Sequence, residues 1–276
     1  MALISGDIVV VRGAGDLATG CIVRLVRAGF RVAALETARP SAIRRTVSLS
    51  EAMYEGKAEV EEIRAVRVGS AAELKEALAR FGPAGPVPLL EDPRCAVLSQ
   101  VRPLALVDAI IAKRNLGTRI GMAEVVVALG PGFEAGVDAD AVVETNRGHE
   151  LGRVLTRGWA EPDTGIPGLV RGAGRERVLH APVAGVVENL RRIGELVRAG
   201  EPVLALAGAD GRVPLTAGVD GILRGLIRPG YQAHAGMKVA DVDPRGRREH
   251  CFTISDKALA VAGGVLEAIL MLGVRR

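Results

Sequence analysis

Residues 7–20 read Asp-Ile-Val-Val-Val-Arg-Gly-Ala-Gly-Asp-Leu-Ala-Thr-Gly, and this stretch decides the fold class. The apolar run predicts a buried strand, and the glycines that follow predict a tight turn into a helix. In Gly13-x-Gly15-x-x-Ala18, the first glycine permits the turn and the second lets a phosphate approach the backbone. We therefore predict an anion cradle at this strand–helix turn.

Three further residues bear on whether the turn binds a phosphate. Glu36 closes the next apolar run, where an acid can accept hydrogen bonds from ribose hydroxyls. Arg12 directly precedes the first glycine, however, and Asp16 puts an acid at the helix start, where it can cap the helix but would repel a pyrophosphate. Two interpretations stay open: a site for a phosphate-bearing ligand, and a turn that only serves the fold.

Alternating strand and helix patterns extend over the first part of the chain. Apolar runs at 31–35, 104–108 and 123–129 are typical of buried strands, and the spacing predicts a helix over 70–81. This alternation predicts a Rossmann-like α/β domain with a mostly parallel sheet, which we place at residues 1–176.

The pattern changes after this domain. Short runs rich in Val and Leu are broken by Gly and Pro, and residues 181–206 align without gaps on 217–242, so that Gly185 matches Gly221. This repeat resembles the lipoyl/biotinyl barrel-sandwich fold and predicts a pseudo-symmetric β domain at 177–247. The apolar stretch 258–274 predicts a C-terminal helix, docked on the rest, within a segment at 248–276.

Composition excludes several classes of protein. Aromatic residues make up 3% of the chain and the formal net charge is +4, which disfavours a nucleic-acid surface. The three cysteines are widely spaced and form no C-x-x-C motif, so we expect a cytoplasmic protein without a disulfide frame or a thiolate metal site. Cys95, in a polar loop, is the thiol we expect to be most reactive. We read no signal peptide and expect no membrane contact.

Candidate ligand-binding residues follow several of the predicted strands, where open α/β sheets bind ligands. Arg44 and Arg45 could clasp an additional phosphate, and His149 is the general acid–base candidate by residue type. No serine elbow, His-Glu-x-x-His or Walker loop is present, so catalytic residues stay unassigned. The predicted binding set comprises Gly13, Gly15, Asp16, Glu36, Arg44, Arg45, Asp108, Lys113, Asn115, Gly130, Gly132, Asn146, Arg147 and His149.

Stretches spread over nearly the whole chain resemble the selenium-dependent molybdenum hydroxylase accessory family (YqeB type). They include Val-Arg-Gly-Ala-Gly-Asp-Leu-Ala-Thr-Gly, Val-Asp-Ala-Ile-Ile-Ala-Lys-Arg-Asn-Leu-Gly-Thr, Leu-Gly-Pro-Gly-Phe, Glu-Thr-Asn-Arg-Gly-His-Glu-Leu-Gly-Arg and Gly-Met-Lys-Val-Ala-Asp-Val-Asp-Pro-Arg. The resemblance implies a role in maturation of molybdenum hydroxylases that use labile selenium. It supplies no catalytic residues.

Three hypotheses about function follow. The first is an accessory or maturation factor that binds an anionic cofactor, either of the molybdopterin type or a nucleotide, and serves a molybdenum hydroxylase client. The second is a nucleotide-dependent oxidoreductase or transferase that acts at the carboxyl ends of the strands. The third is a client-docking protein that uses the β repeat, with self-association into a homo-oligomer as a further possibility.

Overall fold

A computed structural model describes residues 8–208 and 211–273. Asp7, residues 209–210 of the predicted β domain and Val274 of the C-terminal apolar stretch lie outside the described residues. The chain divides into two compact units, of which the second consists of Ser41–Val47 and Gly165–Thr253 and the first of the remaining residues. The domain boundaries placed at 176 and 247 stay a prediction.

The first unit contains five α-helices and eleven strands among its described residues. The helices are α1 (Asp16–Arg27), α2 (Ala52–Glu55), α3 (Ala71–Arg80), α4 (Leu98–Val101) and α5 (Asp256–Gly273). The strands are β1 (Ile8–Arg12), β2 (Arg31–Glu36), β3 (Lys57–Val60), β4 (Ile63–Val68), β5 (Val87–Glu91), β6 (Ala105–Asp108), β7 (Val125–Leu129), β8 (Glu134–Ala135), β9 (Ala141–Val143), β10 (Val154–Leu155) and β11 (Gly158–Trp159).

A nine-stranded sheet forms the centre of this unit, in the order β10-β9-β7-β6-β1-β2-β5-β4-β3. The inner strands run parallel, but β3 pairs with β4, and β10 with β9, in antiparallel fashion. Six of the eight strand pairings among the described residues are parallel, but antiparallel pairs at both edges make the sheet mixed, and the predicted Rossmann-like fold class is wrong. Only two residues separate β3 from β4, which is too short for the crossover that a parallel pair needs.

The helices of this unit form where local signals favour them. One face of α1 is buried, including Cys21, Ile22 and Leu25. The Ser70 side chain caps α3 by accepting a hydrogen bond from the Glu73 backbone N–H. A Cβ on Gly20 would lie 2.9 Å from the Cβ of Ala258, so α1 and α5 pack closely through small residues.

The second unit is built from eight antiparallel strands among its described residues, in two four-stranded sheets. The strands are β12 (Val178–His180), β13 (Gly185–Asn189), β14 (Leu196–Val197), β15 (Pro202–Gly208), β16 (Gly211–Thr216), β17 (Gly221–Leu226), β18 (Gln232–Ala233) and β19 (Lys238–Asp243). The sheet orders are β12-β19-β17-β14 and β16-β15-β13-β18. The predicted lipoyl/biotinyl-like barrel-sandwich is therefore wrong.

The two copies of the sequence repeat exchange strands between these sheets. β14 of the first copy pairs with β17 of the second, and β18 of the second copy pairs with β13 of the first. The Gly200 N–H donates to the carbonyl of Ala217, and the Gly236 N–H donates to that of Ala181. The repeat in the sequence predicts two equivalent halves, but which strands pair is a long-range choice that repeat spacing does not specify.

Candidate functional site

The glycine turn joins β1 to α1. Gly13 has φ +102°, and its N–H donates to the carbonyl oxygen of Leu35 at 2.7 Å. A Cβ on Gly13 would lie 3.1 Å from the carbonyl oxygen of Ala109. Both the positive φ and the close contact require glycine here.

Gly15 differs from Gly13 in both respects. It is the N-cap residue of α1 with φ −67°, and no described side chain caps it. A Cβ on Gly15 would meet no described atom within 4 Å. The helix start therefore borders open space, and Asp16 is the acidic residue of its first turn.

Glu36 holds the glycine turn in place. Its Oε2 accepts a hydrogen bond from the Ala14 N–H at 2.9 Å, and its Oε1 accepts one from the Thr37 N–H at 2.7 Å. Burial raises the pKa of this carboxyl, while these backbone hydrogen bonds oppose the rise. A carboxylate oxygen has a second lone pair, so these bonds leave acceptor capacity for a ligand hydroxyl.

The segment at residues 49–50 also holds the glycine turn in place through hydrogen bonds. The Ser50 N–H donates to the Ala14 carbonyl oxygen at 2.9 Å. The Thr19 hydroxyl donates to that same oxygen at 3.1 Å and accepts from the Leu49 N–H at 3.0 Å. We did not predict these contacts, because Leu49 and Ser50 lie more than thirty positions beyond the turn and their spacing from it indicates no contact.

Arg12, at the end of β1, binds groups from several neighbouring loops. Its guanidinium donates to Asp108 at 3.1 Å, to the Thr118 hydroxyl at 2.9 Å and to the carbonyls of Pro93 and Leu116 at 2.7 and 3.0 Å. The Thr118 hydroxyl also donates to Asp108 at 2.5 Å. Asp108, predicted as a ligand-binding residue, is thus 1% exposed and held by protein donors.

The loop that follows β6 carries unusual backbone. Ile111 and Lys113 have φ of +58° and +61°, and positive φ is strained for a β-branched residue. The Lys113 side chain pairs with Asp163 at 2.7 Å. The side-chain oxygen of Asn115 accepts from the N–H groups of Gly117 and Thr118, each at 2.8 Å, and so closes a local turn.

The glycines after β7 pack against neighbouring loops. A Cβ on Gly132 would lie 2.5 Å from the backbone nitrogen of Arg114, and one on Gly130 would overlap the hydroxyl of Thr145. Both glycines have positive φ, of +70° for Gly130 and +102° for Gly132. The tertiary structure therefore brings together the predicted residues near Gly13, Lys113 and Gly132 at one edge of the sheet.

The segment after β9 is held by hydrogen bonds to Glu144 and by an ion pair with the first residue of α5. Buried Glu144 accepts hydrogen bonds from the N–H groups of Thr145, Asn146 and Glu161 at 2.6 to 2.7 Å. The Asn146 side chain donates to the Glu161 carboxylate. Arg147 makes a two-pronged ion pair with Asp256, with both distances 2.8 Å, and the His149 side chain is 90% exposed. These contacts hold Arg147 at the start of α5 and leave His149 in solvent.

Arg44 and Arg45 belong to the second unit. Arg44 donates to the carbonyl of His250 at 3.4 Å, and Arg45 donates to that of Leu226 at 2.8 Å. Their role as phosphate ligands at the glycine turn stays a prediction.

All three cysteines are buried. Burial raises the pKa of the Cys95 thiol to about 11 and that of Cys21 to about 12. Since the thiolate is the reactive form, burial disfavours reaction at Cys95, and its role as the most reactive thiol stays a prediction.

Two absences among the described residues bear on the kind of site. Within residues 8–208 and 211–273, no group of three or more His, Cys, Asp or Glu side chains could hold a metal ion. Over the same residues, no helix has the length and apolar character needed to cross a membrane.

The fold and the site define a protein with a large mixed sheet and a glycine turn at one edge of its parallel strands. The chain is 44% identical over 266 residues to "Uncharacterized protein YqeB" of Escherichia coli (strain K12), a match that covers 96% of this chain and 48% of that protein. It thus spans about half the length of the curated relative it matches. This similarity supports the YqeB-type resemblance; the relative's name states no selenium or molybdenum role. No family model matches the chain.

Two solved structures show weak similarity. One is the product-bound ectoine utilization protein EutE (DoeB) from Ruegeria pomeroyi, 11% identical, covering 86% of this chain and 85% of that one, with a TM-score of 0.27. The other is a succinylglutamatedesuccinylase/aspartoacylase from Rhodobacter sphaeroides, 14% identical, covering 87% and 85%, with a TM-score of 0.30.

Proposed function

We propose that this protein is an accessory factor that binds an anionic, phosphate-bearing ligand at the glycine turn. The observation that carries the proposal is the open space beside Gly15 at the N-cap of α1. Its φ of −67° suits any residue, so backbone conformation does not require glycine here. The absence of a side chain leaves room for a ligand beside the N–H groups and the positive dipole end of the helix.

The surrounding contacts favour a rigid site. Gly13 is fixed by its hydrogen bond to Leu35, and Ala14 is held through its N–H by Glu36 and through its carbonyl by Ser50. A backbone that is already held in place loses little conformational freedom when an anion binds.

The proposed client protein and the proposed ligand are suggested by the family resemblance. We propose maturation of a selenium-dependent molybdenum hydroxylase, with a molybdopterin-type cofactor or a nucleotide as the ligand. The similarity to YqeB supports the family but covers about half of that protein, so this role is proposed for the chain and not carried over from its relative.

The enzymatic alternative receives less support from the geometry. Asp108 is engaged by Arg12 and Thr118, and Glu144 accepts three backbone hydrogen bonds. The His149 side chain is 90% exposed, and among the described residues its ring lies 4.0 Å from Glu150, an accessible carboxylate and not the buried partner that orients many catalytic imidazoles.

The site assignment can be tested with two variants at one position. Gly15→Ala adds a methyl group, whereas Gly15→Asp adds a negative charge and a favourable helix cap. Both variants should fold with stability close to that of the wild type. Native mass spectrometry of the protein as purified, and titration with NAD, GTP and AMP, should show binding weakened about tenfold or more in Gly15→Asp.

Binding that is unchanged in Gly15→Asp, with its folding verified, would exclude the turn as the site. The maturation role needs a separate measurement in cells, namely the molybdenum and selenium content of a client hydroxylase. A client that is fully loaded in cells producing Gly15→Asp would reject that role for this site.

A further inference from the structure

The outer side of α5 carries an apolar stripe that is only partly buried. The inner side chains of this helix, which include Val261 and Ile269, are buried, and α5 packs on α1 and β7. The residues of the outer stripe follow one another at intervals of four, three and four positions, and we call them the α5 stripe: Leu259, Gly263, Leu266 and Leu270. Leu259 is 38% exposed, and the other three are partly exposed. This spacing is that of a helix face that packs against a second helix.

A groove with a volume of about 450 Å³ runs beside the α5 stripe. Its lining includes Val23 and Arg24 of α1, together with Leu259 and Leu266 of the stripe. A Cβ on Gly263 would border open space, so the stripe has a notch between its leucines. The surface therefore has room for apolar side chains of another molecule.

Two charged residues at this surface form no ion pair in the part of the chain that the structure describes. Arg24, in the groove, donates a hydrogen bond to a backbone carbonyl of α5 at 3.3 Å. Glu267 lies next to the α5 stripe and is exposed. Arg27 also lines the groove, but it is paired with Glu61 and Glu62. Arg24 and Glu267 thus leave one charge of each sign available for a partner.

These features favour a second copy of this chain as the occupant of the groove. A twofold interface uses the same patch on both subunits, so each copy presents its apolar stripe to the groove of the other. Each copy also supplies the charge that is opposite to the one it meets. An anionic occupant, such as a membrane surface or a nucleic acid, would instead be repelled by Glu267.

We propose that this chain forms a homodimer in which α5 of each copy lies along the groove between α1 and α5 of the other. Leucines of the α5 stripe fill the groove, and Glu267 pairs with Arg24 of the partner subunit. With 18 residues, α5 is about 27 Å long, which allows contact over several helical turns. The interface lies in the first unit and does not depend on the function proposed for the glycine turn.

Charge reversal in the full chain tests the proposed pairing. Sedimentation equilibrium should show a dimer for the wild type. Arg24→Glu and Glu267→Arg each create two like-charge contacts in a twofold interface, and each should weaken dimerisation about tenfold or more. An equimolar mixture of the two variants should dimerise like the wild type. In the mixed dimer, the new acid of one variant faces the new base of the other, and the unchanged Arg24 faces the unchanged Glu267.

The apolar part of the interface has its own pair of variants. Leu259→Ser should also weaken dimerisation, because it removes apolar area from the contact. The matched control is Leu190→Ser in the second unit, where the leucine is 43% exposed, and this variant should dimerise like the wild type. Arg157→Glu, which reverses an exposed arginine of the first unit, is the control for the charge variants. Circular dichroism verifies that each variant is folded.

Three results would overturn the proposal. A wild type that sediments as a monomer would do so, whether or not another protein binds the groove. A dimer that Glu267→Arg and Leu259→Ser leave intact would place the interface elsewhere. Weakened single variants that do not recover on mixing would reject the pairing of Arg24 with Glu267. Since Glu267 is exposed, Glu267→Arg keeps the test decisive if Arg24→Glu fails to fold.

Discussion

The guanidinium of Arg12 lies 3.1 Å from the carboxylate of Asp108, and the two residues are register partners at the ends of the parallel strands β1 and β6. They are 5% and 1% exposed. A buried ion pair is tolerated when its remaining polar atoms are hydrogen-bonded, and here Thr118 and the carbonyls of Pro93 and Leu116 complete the set. The cation that interrupts the glycine motif thus anchors the loops at this edge of the sheet.

Replacing one member of this pair should be strongly destabilising. Arg12→Met leaves Asp108 buried without its cation, and we expect the free energy of unfolding to fall by about 3–5 kcal/mol. Urea unfolding measures the change. The exposed arginine Arg27, which pairs with Glu61 and Glu62, is the control, because Arg27→Met should cost less than about 1 kcal/mol.

The double variant Arg12→Met with Asp108→Leu should recover part of the loss, since it removes both charges together. A loss in Arg12→Met no larger than that in Arg27→Met would show that the buried pair contributes little.

Replacing the two glycines of the turn by alanine should have different effects on the free energy of unfolding. Gly13→Ala meets both a φ of +102° and the carbonyl of Ala109, so we expect a loss of about 1–3 kcal/mol. Gly15→Ala meets neither obstacle and should stay within about 0.5 kcal/mol of the wild type. Chemical unfolding of both variants checks this, and equal losses would contradict the geometry of the turn.

Alanine variants of Gly132 and Gly117 distinguish the effect of steric overlap on stability from that of backbone strain. Both have φ near +100°, at +102° and +96°, but only the Cβ of Gly132 would meet another atom, the nitrogen of Arg114 at 2.5 Å. We expect Gly117→Ala to cost about 1 kcal/mol and Gly132→Ala about 1–3 kcal/mol more. Thermal unfolding of the pair provides the comparison, and indistinguishable melting temperatures would argue against close packing at Gly132.

The buried thiols predict a loss of stability at alkaline pH. Burial raises the pKa of Cys95 from 9.0 to about 11, so its contribution to stability is complete below the pKa of the unfolded chain and is lost as pH rises toward 11. The slope reaches about 1.4 kcal/mol per pH unit, because the unfolded chain releases this proton first. Urea unfolding at pH 8 and 10.5 should show a smaller loss for Cys95→Ala than for the wild type. Equal losses would mean that Cys95 titrates normally in the fold.

Local patterns predicted the elements that have strong local signals. The spacing predicts a helix over 70–81, and α3 spans Ala71–Arg80 behind its Ser70 cap. β3 gave no apolar signal, because Lys57 and Glu59 in this edge strand are exposed. Without β3, the antiparallel pair at this edge was not predicted, and the antiparallel pair of β9 and β10 at the opposite edge was not predicted either. In the β repeat, the copies were visible from spacing, but the exchange of β14 and β18 between sheets depends on long-range register.

The glycine turn could be predicted from local sequence, because the demand for a positive φ at Gly13 and the apolar run before it are short-range properties of the chain. The partners of the charged residues, by contrast, depend on tertiary contacts. Arg12 meets Asp108 across 96 positions, and Arg44 meets His250 across 206. Burial and pairing of such groups depend on which strands and loops become neighbours, and residue type and spacing carry no record of that choice.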